Sequence, residues 1–437
     1  MRRGGRERRP LPMTGAAGED VQGQERRLPP LRLGPVDLAL LLEGDAVPDE
    51  SYWHLGVAAR LPGPPPGREV VRELLAQAAD RLPALTYRPA GRGARARWEP
   101  DPDFDAARHL TYQRVLPGEH VEQAVLDGLR HPLPRDRPLW SLLVLHGHAD
   151  GEHVVCYRAH HAFQGGAGAA TVFRSLPMSR RLPPPAPSQP PPLLRTAAGL
   201  LPAVPELLRL LAPRARWHDG RTPGGHGRWM RTVRLDGGPF RRLAAATGAT
   251  VAQINLAVLS GALRAWSPHL WSGPGGGRRR GLTIWLPVGR GEAGRPGPGS
   301  RTGLIAVTLP CAEPSPLGRL RAVMEQAHQE RAERVRERQA LADHVPHLWM
   351  RAARHVGRRA VRNRVVATML QAPATTPVNA LDTFPVPVLP DGVPLAAAFL
   401  DLGRAVTVSL VARTSLPRAE QLPPLLEQAL EELAGHV

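Results

Sequence analysis

The sequence contains no lysine, so all 57 of its basic residues are arginines, set against 39 acidic residues. A net charge of +18 and an isoelectric point of about 11.4 would ordinarily indicate a nucleic-acid partner. However, arginine, alanine, glycine and proline are abundant together, which is typical of a GC-rich coding sequence and weakens that signal. Aromatic residues make up only 4% and are scattered, so no stacking platform for bases is visible. The sequence therefore predicts no nucleic-acid partner.

Cysteine is also scarce. Cys156 and Cys311 lie far apart in apolar runs, so the sequence has no disulfide framework, and we interpret both as buried thiols. A metal centre is the alternative reading of a histidine-rich segment, but no cysteine or carboxylate set with zinc-ligand spacing accompanies it, and we predict no metal site. The histidines of that segment are His146, His148, His153, His160 and His161.

Long apolar runs are absent as well. No stretch of about 18 uncharged apolar residues occurs, which argues against a membrane-spanning helix. The first residues, MRRGGR, are charged and lead into proline, glycine and acidic residues, so we expect no secretory signal and a cytoplasmic protein. The glycine-rich stretches at 275–277 and 291–300 lack the strand context of a nucleotide-binding loop and are predicted to be solvated loops.

Composition divides the chain into four segments. Residues 1–30 are predicted to be a disordered basic tail. Residues 31–180 and 229–437 each alternate helical and strand patterns, which predicts two α/β halves. The proline-rich residues 181–228 are predicted to be an extended crossover linker. Its leucine-rich part, residues 193–211, is either a packed linker helix, which we favour, or a segment that lies on a membrane surface or acts as a substrate lid.

Apolar periodicity predicts the individual elements within the two halves. Helices are predicted at 36–42, 70–78, 121–129, 254–263, 317–335 and 422–433, and strands at 140–145, 154–157, 282–286, 304–309 and 406–411.

The strongest functional signal is HHAFQGG at residues 160–166, which follows a predicted hairpin. Because neighbouring side chains on a strand alternate in direction, the rings of His160 and His161 should point to opposite sides, so only one can face a substrate. An imidazole titrates near neutral pH and can take the proton of a hydroxyl or amine as it attacks an acyl group. The glycines that follow are predicted to open a helix.

HHAFQGG resembles the HHxxxDG motif of the bacterial wax ester synthase/diacylglycerol acyltransferase family, which is related to chloramphenicol acetyltransferase and to condensation domains. RPLW at residues 137–140 resembles the PLW motif of that family, and GPVD at 34–37 is similar to its S-x-x-D opening. Three further segments are similar and occur in the same order: 101–105, 247–251 and 286–290.

The resemblance implies an α/β fold of two chloramphenicol-acetyltransferase-like halves, each a mixed sheet with flanking helices, around a central tunnel. It implies that His161 is the general base, that His160 supports it, and that Gly165, Gly166 and Trp140 contact substrate. The implied reaction transfers an acyl group from acyl-CoA to the hydroxyl of diacylglycerol or a long-chain alcohol, with no metal or other cofactor. A peripheral contact with a membrane or lipid-droplet surface is also implied.

The sequence departs from the family pattern at three motifs. Gly165 stands where the motif has aspartate, Ala252 and Gln253 replace an Asn-Asp pair, and the late S-Y-D-G element is FLDLG at 399–403. A glycine cannot orient a histidine by charge, so His161 needs another partner. The alternatives are therefore a catalytically impaired relative that binds an acyl chain, a lipid or a protein partner, and an enzyme for acyl transfer or condensation on a specialised metabolite.

Overall fold

The computed structural model describes most of the two predicted halves. The predicted tail and linker lie almost wholly outside the described residues. These residues are 28–177, 184–185, 208–210, 217–218, 227–272, 281–289, 297–339, 355, 357–371 and 379–437.

Strands and helices alternate along the described chain. The strands are β1 (Leu31–Arg32), β2 (His54–Pro62), β3 (Tyr87–Ala90), β4 (Arg97–Pro100), β5 (Leu110–Arg114), β6 (Trp140–His146), β7 (Glu152–His160), β8 (Arg228–Asp236), β9 (Leu282–Gly289), β10 (Thr302–Leu309), β11 (Val365–Gln371), β12 (Asp382–Val386), β13 (Leu395–Asp401) and β14 (Ala405–Arg413). The helices are α1 (Pro35–Gly44), α2 (Arg68–Arg81), α3 (Val121–Gly128), α4 (Gly166–Ser175), α5 (Gly237–Thr247), α6 (Val251–Trp266), α7 (His269–Ser272), α8 (Pro316–Gln326), α9 (Gln329–Gln339) and α10 (Leu422–Ala434).

The N-terminal sheet has the strand order β12-β2-β7-β6-β5. It is mixed, because β5 runs parallel to β6 while the other neighbours are antiparallel. The predicted hairpin is β6 and β7. The strand β12 comes from the predicted C-terminal half yet pairs with β2, placing Phe384 opposite Ala58. The described strand β12 therefore crosses from the predicted C-terminal half to the sheet of the other half.

The C-terminal sheet has the order β10-β9-β11-β13-β14-β8 and is also mixed, since β11 runs parallel to both of its neighbours. Helices α6, α8 and α10 pack together in this half. A third, antiparallel sheet of β1, β4 and β3 belongs to the N-terminal half and was not predicted. The structure thus confirms an α/β fold of two mixed sheets with flanking helices.

Each half has its own buried hydrophobic cluster, and a third cluster joins them. The joining cluster takes Leu143 and Cys156 from the N-terminal sheet and Trp285 and Val411 from the C-terminal sheet. Because buried apolar area is the main stabilising contribution in folding, this shared cluster holds the halves in a fixed relation. The central tunnel stays a prediction.

The predicted elements are confirmed in type, with one exception. Residues 317–335 form two helices, α8 and α9, rather than one. The break lies at Ala327 and His328. The carbonyl of Ala327 accepts a hydrogen bond from Gln253 Nε2 at 3.0 Å, and His328 Nδ1 accepts the backbone N–H of Arg331 at 3.3 Å. These side-chain contacts replace helical hydrogen bonds and start a new helix.

The start of α6 explains one of the departures from the family pattern. Thr250 and Gln253 form a capping box, in which the Thr250 N–H donates to Gln253 Oε1 at 2.8 Å and the Gln253 N–H donates to Thr250 Oγ1 at 3.3 Å. A capping box satisfies two backbone donors that a helix start would otherwise leave unpaired. Gln253 therefore has a local structural role in place of the motif residue.

No single helix within the described ranges is both long and apolar enough to cross a membrane. Helices α5 and α6 together reach the required length and apolar composition, but the pair is bent by 109°. In the described part of the chain, no three His, Cys, Asp or Glu side chains form a group that could hold a metal ion.

Candidate active site

The two motif histidines lie where β7 ends and the chain turns towards α4. His160 is the last residue of β7 and pairs with His54 on β2. The backbone N–H of His161 donates to Trp53 O at 2.8 Å, and the Phe163 N–H closes a turn on His160 O at 2.8 Å. The two rings have different surroundings, since that of His160 lies near Glu50 and His54 and that of His161 lies near Ser300.

His160 is completely buried. Its Nδ1 accepts the backbone N–H of Ala162 at 3.0 Å, so in the neutral ring the proton lies on Nε2, 3.9 Å from Glu50 Oε1. Burial lowers the pKa of His160 well below its usual value, and the nearby Arg135 and His54 add to the effect. His160 is therefore neutral, and its ring accepts a backbone hydrogen bond within the turn; its supporting role in catalysis stays a prediction.

A buried arginine underlies the same strand end and was not predicted. Arg158 lies two residues before His160, so both side chains extend from the same side of β7. Its Nε donates to Ser141 Oγ at 2.6 Å and its Nη1 donates to Leu129 O at 2.9 Å. The carbonyl of Leu129 also contacts His54 Nδ1 at 2.7 Å. These contacts give the buried guanidinium and the His54 ring hydrogen-bond partners and rigidify the strand that carries the histidines.

His161 is only partly buried, and its ring meets the C-terminal half. Its Nδ1 lies 3.0 Å from Ser300 Oγ. Burial lowers the pKa of His161, and the backbone carbonyls of His161 and Gln164 partly oppose that shift. The imidazole is therefore neutral at neutral pH, which is the state in which a nitrogen lone pair can accept a proton.

Ser300 reaches His161 from a loop that crosses between the halves. The backbone N–H of Gly299 donates to Phe163 O at 2.7 Å, and Gly299 forms an isolated parallel bridge with Gln164. Ser300 is 3% exposed. The prediction of a solvated loop over 291–300 is thus wrong at Ser300, because this end of the loop is hydrogen-bonded to the histidine turn; residues 291–296 lie outside the described residues.

Asp37, in the first turn of α1, anchors that loop. Its Oδ1 accepts the backbone N–H of Ser300 at 2.8 Å, and its Oδ2 accepts the N–H of Gly34 at 3.2 Å and Trp98 Nε1 at 3.4 Å. Gly299 has φ +109°, and a Cβ built there would lie 2.9 Å from Asp37 Oδ2. Only glycine tolerates both that backbone conformation and that close approach. The carboxylate of Asp37 therefore holds the loop against the histidine turn.

The space beside Gly165 is occupied from the other half. A Cβ built on Gly165 would overlap Thr302 Oγ1, at the start of β10, and would lie 3.9 Å from Ser300 Oγ. Gly166 faces β11, where a Cβ would meet Leu370 Cδ2 at 3.4 Å. The place of the motif aspartate side chain is thus filled by a threonine hydroxyl. Substrate contacts by the two glycines stay a prediction.

Trp140 lies in the core of the N-terminal half and is 1% exposed. Its Nε1 donates to Leu85 O at 2.8 Å, and its ring stacks on His109 and Tyr157 with centroids 4.3 Å and 5.8 Å away. These contacts give the indole a packing role and use its only polar atom. Its predicted contact with substrate stays a prediction.

Besides Arg158, the residues that sequence reasoning missed are Ser300 and Thr302. Asp37 belongs to the GPVD segment that carried part of the resemblance, so a signal for it was present in the sequence. Ser300 and Thr302 follow a run of glycine and proline, and nothing in that local pattern distinguishes them from surface residues. Ser300 reaches His161, and Thr302 reaches Gly165, through tertiary contacts between residues more than 130 positions apart in the chain.

Residues 33–219 match the family model described as the wax ester synthase/diacylglycerol acyltransferase catalytic domain. The resemblance to that family is confirmed. The match covers a little under half of the chain and includes Asp37, Trp140 and both motif histidines, whereas Ser300 and Thr302 lie beyond it.

Relatives and solved structures agree with this match. A probable diacylglycerol O-acyltransferase of Mycobacterium tuberculosis is 32% identical over 133 residues, which are 28% of this chain and 28% of that protein. The aligned part thus spans little more than a quarter of the relative.

The fold extends further than the sequence likeness. The wax ester synthase/diacylglycerol acyltransferase from Marinobacter aquaeolei VT8 has a TM-score of 0.60 at 19% identity, over 93% of this chain and all of that one. The first condensation domain of the CDA synthetase has a TM-score of 0.61 at 17% identity, over 93% of this chain and 96% of that one. These likenesses establish the fold of both halves.

Proposed function

We propose that this protein is an O-acyltransferase that transfers an acyl group from a coenzyme A thioester to the hydroxyl of a lipid acceptor, either diacylglycerol or a long-chain alcohol. The observation that carries the proposal is His161, a partly exposed and neutral imidazole at the second histidine of the motif, with Nδ1 held by Ser300 Oγ. The match of residues 33–219 to the acyltransferase catalytic domain supports the reaction class.

The chemistry follows from Nε2, the ring nitrogen of His161 that does not contact Ser300. When Nδ1–H donates to Ser300 Oγ, the lone pair of His161 lies on Nε2 and can take the proton of the acceptor hydroxyl as its oxygen attacks the thioester carbonyl. The new C–O bond forms, the C–S bond breaks, and the thiolate of coenzyme A takes the proton back from the imidazolium. Nothing is oxidised or reduced, so the reaction requires no redox cofactor.

We also infer that the protein works in the cytoplasm and contacts a membrane or lipid-droplet surface peripherally. The net charge of +18 supports the surface contact alone, because anionic headgroups attract arginine-rich surfaces. Sedimentation with vesicles of phosphatidylserine and phosphatidylcholine should carry the protein down at low salt and release it at high salt. Equal sedimentation with vesicles of phosphatidylcholine alone would contradict an electrostatic contact.

The test of the reaction is release of free thiol from long-chain acyl-CoA, with diacylglycerol, a fatty alcohol or no acceptor. We expect release that depends on acceptor, and its loss in His161→Ala. The matched control is His436→Ala, which removes an exposed histidine near the C-terminus and should leave release unchanged.

The second candidate is a binding protein without turnover, and the observation that favours it is the absence of a carboxylate at Gly165. In that case no acceptor would give thiol release, and the protein would still bind acyl-CoA in a titration that follows the intrinsic tryptophan fluorescence. Release from His161→Ala at the wild-type rate would contradict the role of His161 directly.

A further inference from the structure

The missing aspartate of the motif leaves a specific gap in the catalytic account. In the motif that this chain resembles, a carboxylate follows the second histidine four positions later, but Gly165 has no side chain there. A general base works well only when its ring is held in one orientation and one tautomer. The backbone carbonyls of His161 and Gln164 contact the ring, but a side chain that holds it must come from another part of the chain.

We propose that Ser300, anchored by Asp37, is the positioning residue that holds His161 in place of the motif carboxylate. This inference rests on the proposed function, because Ser300 can position a catalytic base only if His161 is that base. Ser300 does not touch the reacting atoms; it acts through His161.

The first observation that supports the proposal is the hydrogen-bond geometry around Ser300. Ser300 Oγ lies 3.0 Å from His161 Nδ1. When the hydroxyl accepts the Nδ1–H, the lone pair of the neutral ring lies on Nε2, which can then take a proton. The serine is itself fixed, because its backbone N–H donates to Asp37 Oδ1 at 2.8 Å and its side chain is in a 3% exposed residue. A fixed acceptor orients the ring without an entropic cost at each turnover.

The second observation that supports the proposal is the packing around Gly165. A Cβ at Gly165 would overlap Thr302 Oγ1. Thr302 is the first residue of β10 and lies two residues after Ser300. The segment that supplies the serine therefore also closes the place where the carboxylate would stand. The absence of the aspartate and the presence of the serine contact are two consequences of one arrangement, in which the start of β10 lies against the start of α4.

The kinetic test compares Ser300→Ala with Ser300→Thr, which keeps a hydroxyl, and with Ser260→Ala as a matched control. Ser260 is a fully buried serine of α6 whose Oγ contacts Cys311, far along the chain from the histidine turn. We expect kcat of Ser300→Ala to fall by about 10- to 100-fold, the range seen when a partner that orients a metal-bound histidine is lost. KM should change by less than about twofold, because substrate binding is not altered.

In the same assay, Ser300→Thr should recover most of the wild-type kcat and Ser260→Ala should keep it. An unchanged kcat in Ser300→Ala would overturn the proposal, and so would an equal loss in Ser260→Ala. Urea unfolding of each variant checks that the kinetic change is not a loss of folded protein.

A second measurement does not depend on turnover. Diethylpyrocarbonate modifies only neutral imidazole, so the pH dependence of His161 modification, read by mass spectrometry of its peptide, gives the midpoint of its titration. Ser300→Ala should lower that midpoint, because the serine oxygen stabilises the protonated ring through Nδ1–H. An unchanged or raised midpoint would overturn the proposal. A lowered midpoint in a protein that releases no thiol with any acceptor would refute the proposed function and leave the positioning contact intact.

Discussion

The change in unfolding free energy when the motif aspartate is restored should depend on a second residue, Thr302. In Gly165→Asp the new Cβ would overlap Thr302 Oγ1. Overpacking of this kind costs about 1 to 3 kcal/mol of unfolding free energy. Thr302→Ala removes that hydroxyl and leaves Thr302 Cβ at 3.8 Å, an ordinary contact. Gly165 is the N-cap of α4, with φ −81° and ψ 170°, and in that extended conformation aspartate is a favoured N-cap.

We therefore expect Gly165→Asp to destabilise the wild-type protein by about 1 to 3 kcal/mol and to be close to neutral in the Thr302→Ala background. The coupling free energy from the double-mutant cycle should be at least about 1 kcal/mol. The assay is urea unfolding of the four proteins, followed by tryptophan fluorescence. If Gly165→Asp costs the same with and without Thr302→Ala, the account of why this chain lacks the aspartate is refuted.

Three further predictions concern the histidines and their anchor. Replacing the buried His160 by alanine should lower the unfolding free energy by about 1 to 3 kcal/mol, since it removes the acceptor for Ala162 N–H; an unchanged urea midpoint would contradict its supporting role. The acid limb of the kcat/KM profile should lie below pH 6.5, because burial lowers the pKa of His161 and the base is lost only when the pH falls through that lowered value; a limb above 6.5 would contradict the neutral base. Asp37→Ala should reduce kcat as Ser300→Ala does, because it frees the backbone N–H of Ser300, and an undiminished kcat would show that the loop holds without its anchor.

Local patterns were enough to predict the elements that carry the histidines. The hairpin of β6 and β7 follows from two β-forming runs around a turn, and His160 is the last residue of its second strand. The entry of α6 was similarly visible in the Thr250 segment, although the capping role of Gln253 became clear only from its hydrogen bonds.

The features that could not be predicted all depend on contacts between distant parts of the chain. Nothing in residues 382–386 indicates that they pair with β2 of the other half. The helix break at Ala327 depends on a side chain from α6, and the contact of Ser300 with His161 depends on a carboxylate in α1. Trp140 belongs to a segment whose resemblance suggests a substrate contact, whereas its burial reflects packing against His109 and Tyr157. Periodicity reports on one element at a time and carries no information about such pairings.

The measurement that tests the central claim most directly is the rate of ester formation from long-chain acyl-CoA and a hydroxyl lipid at pH 7.5, in the wild-type protein and in His161→Ala. Wild-type protein should form the ester together with an equal amount of free coenzyme A, and His161→Ala should form neither while it unfolds at a similar urea concentration. Ester formation by folded His161→Ala at the wild-type rate would contradict the assignment of His161 as the base.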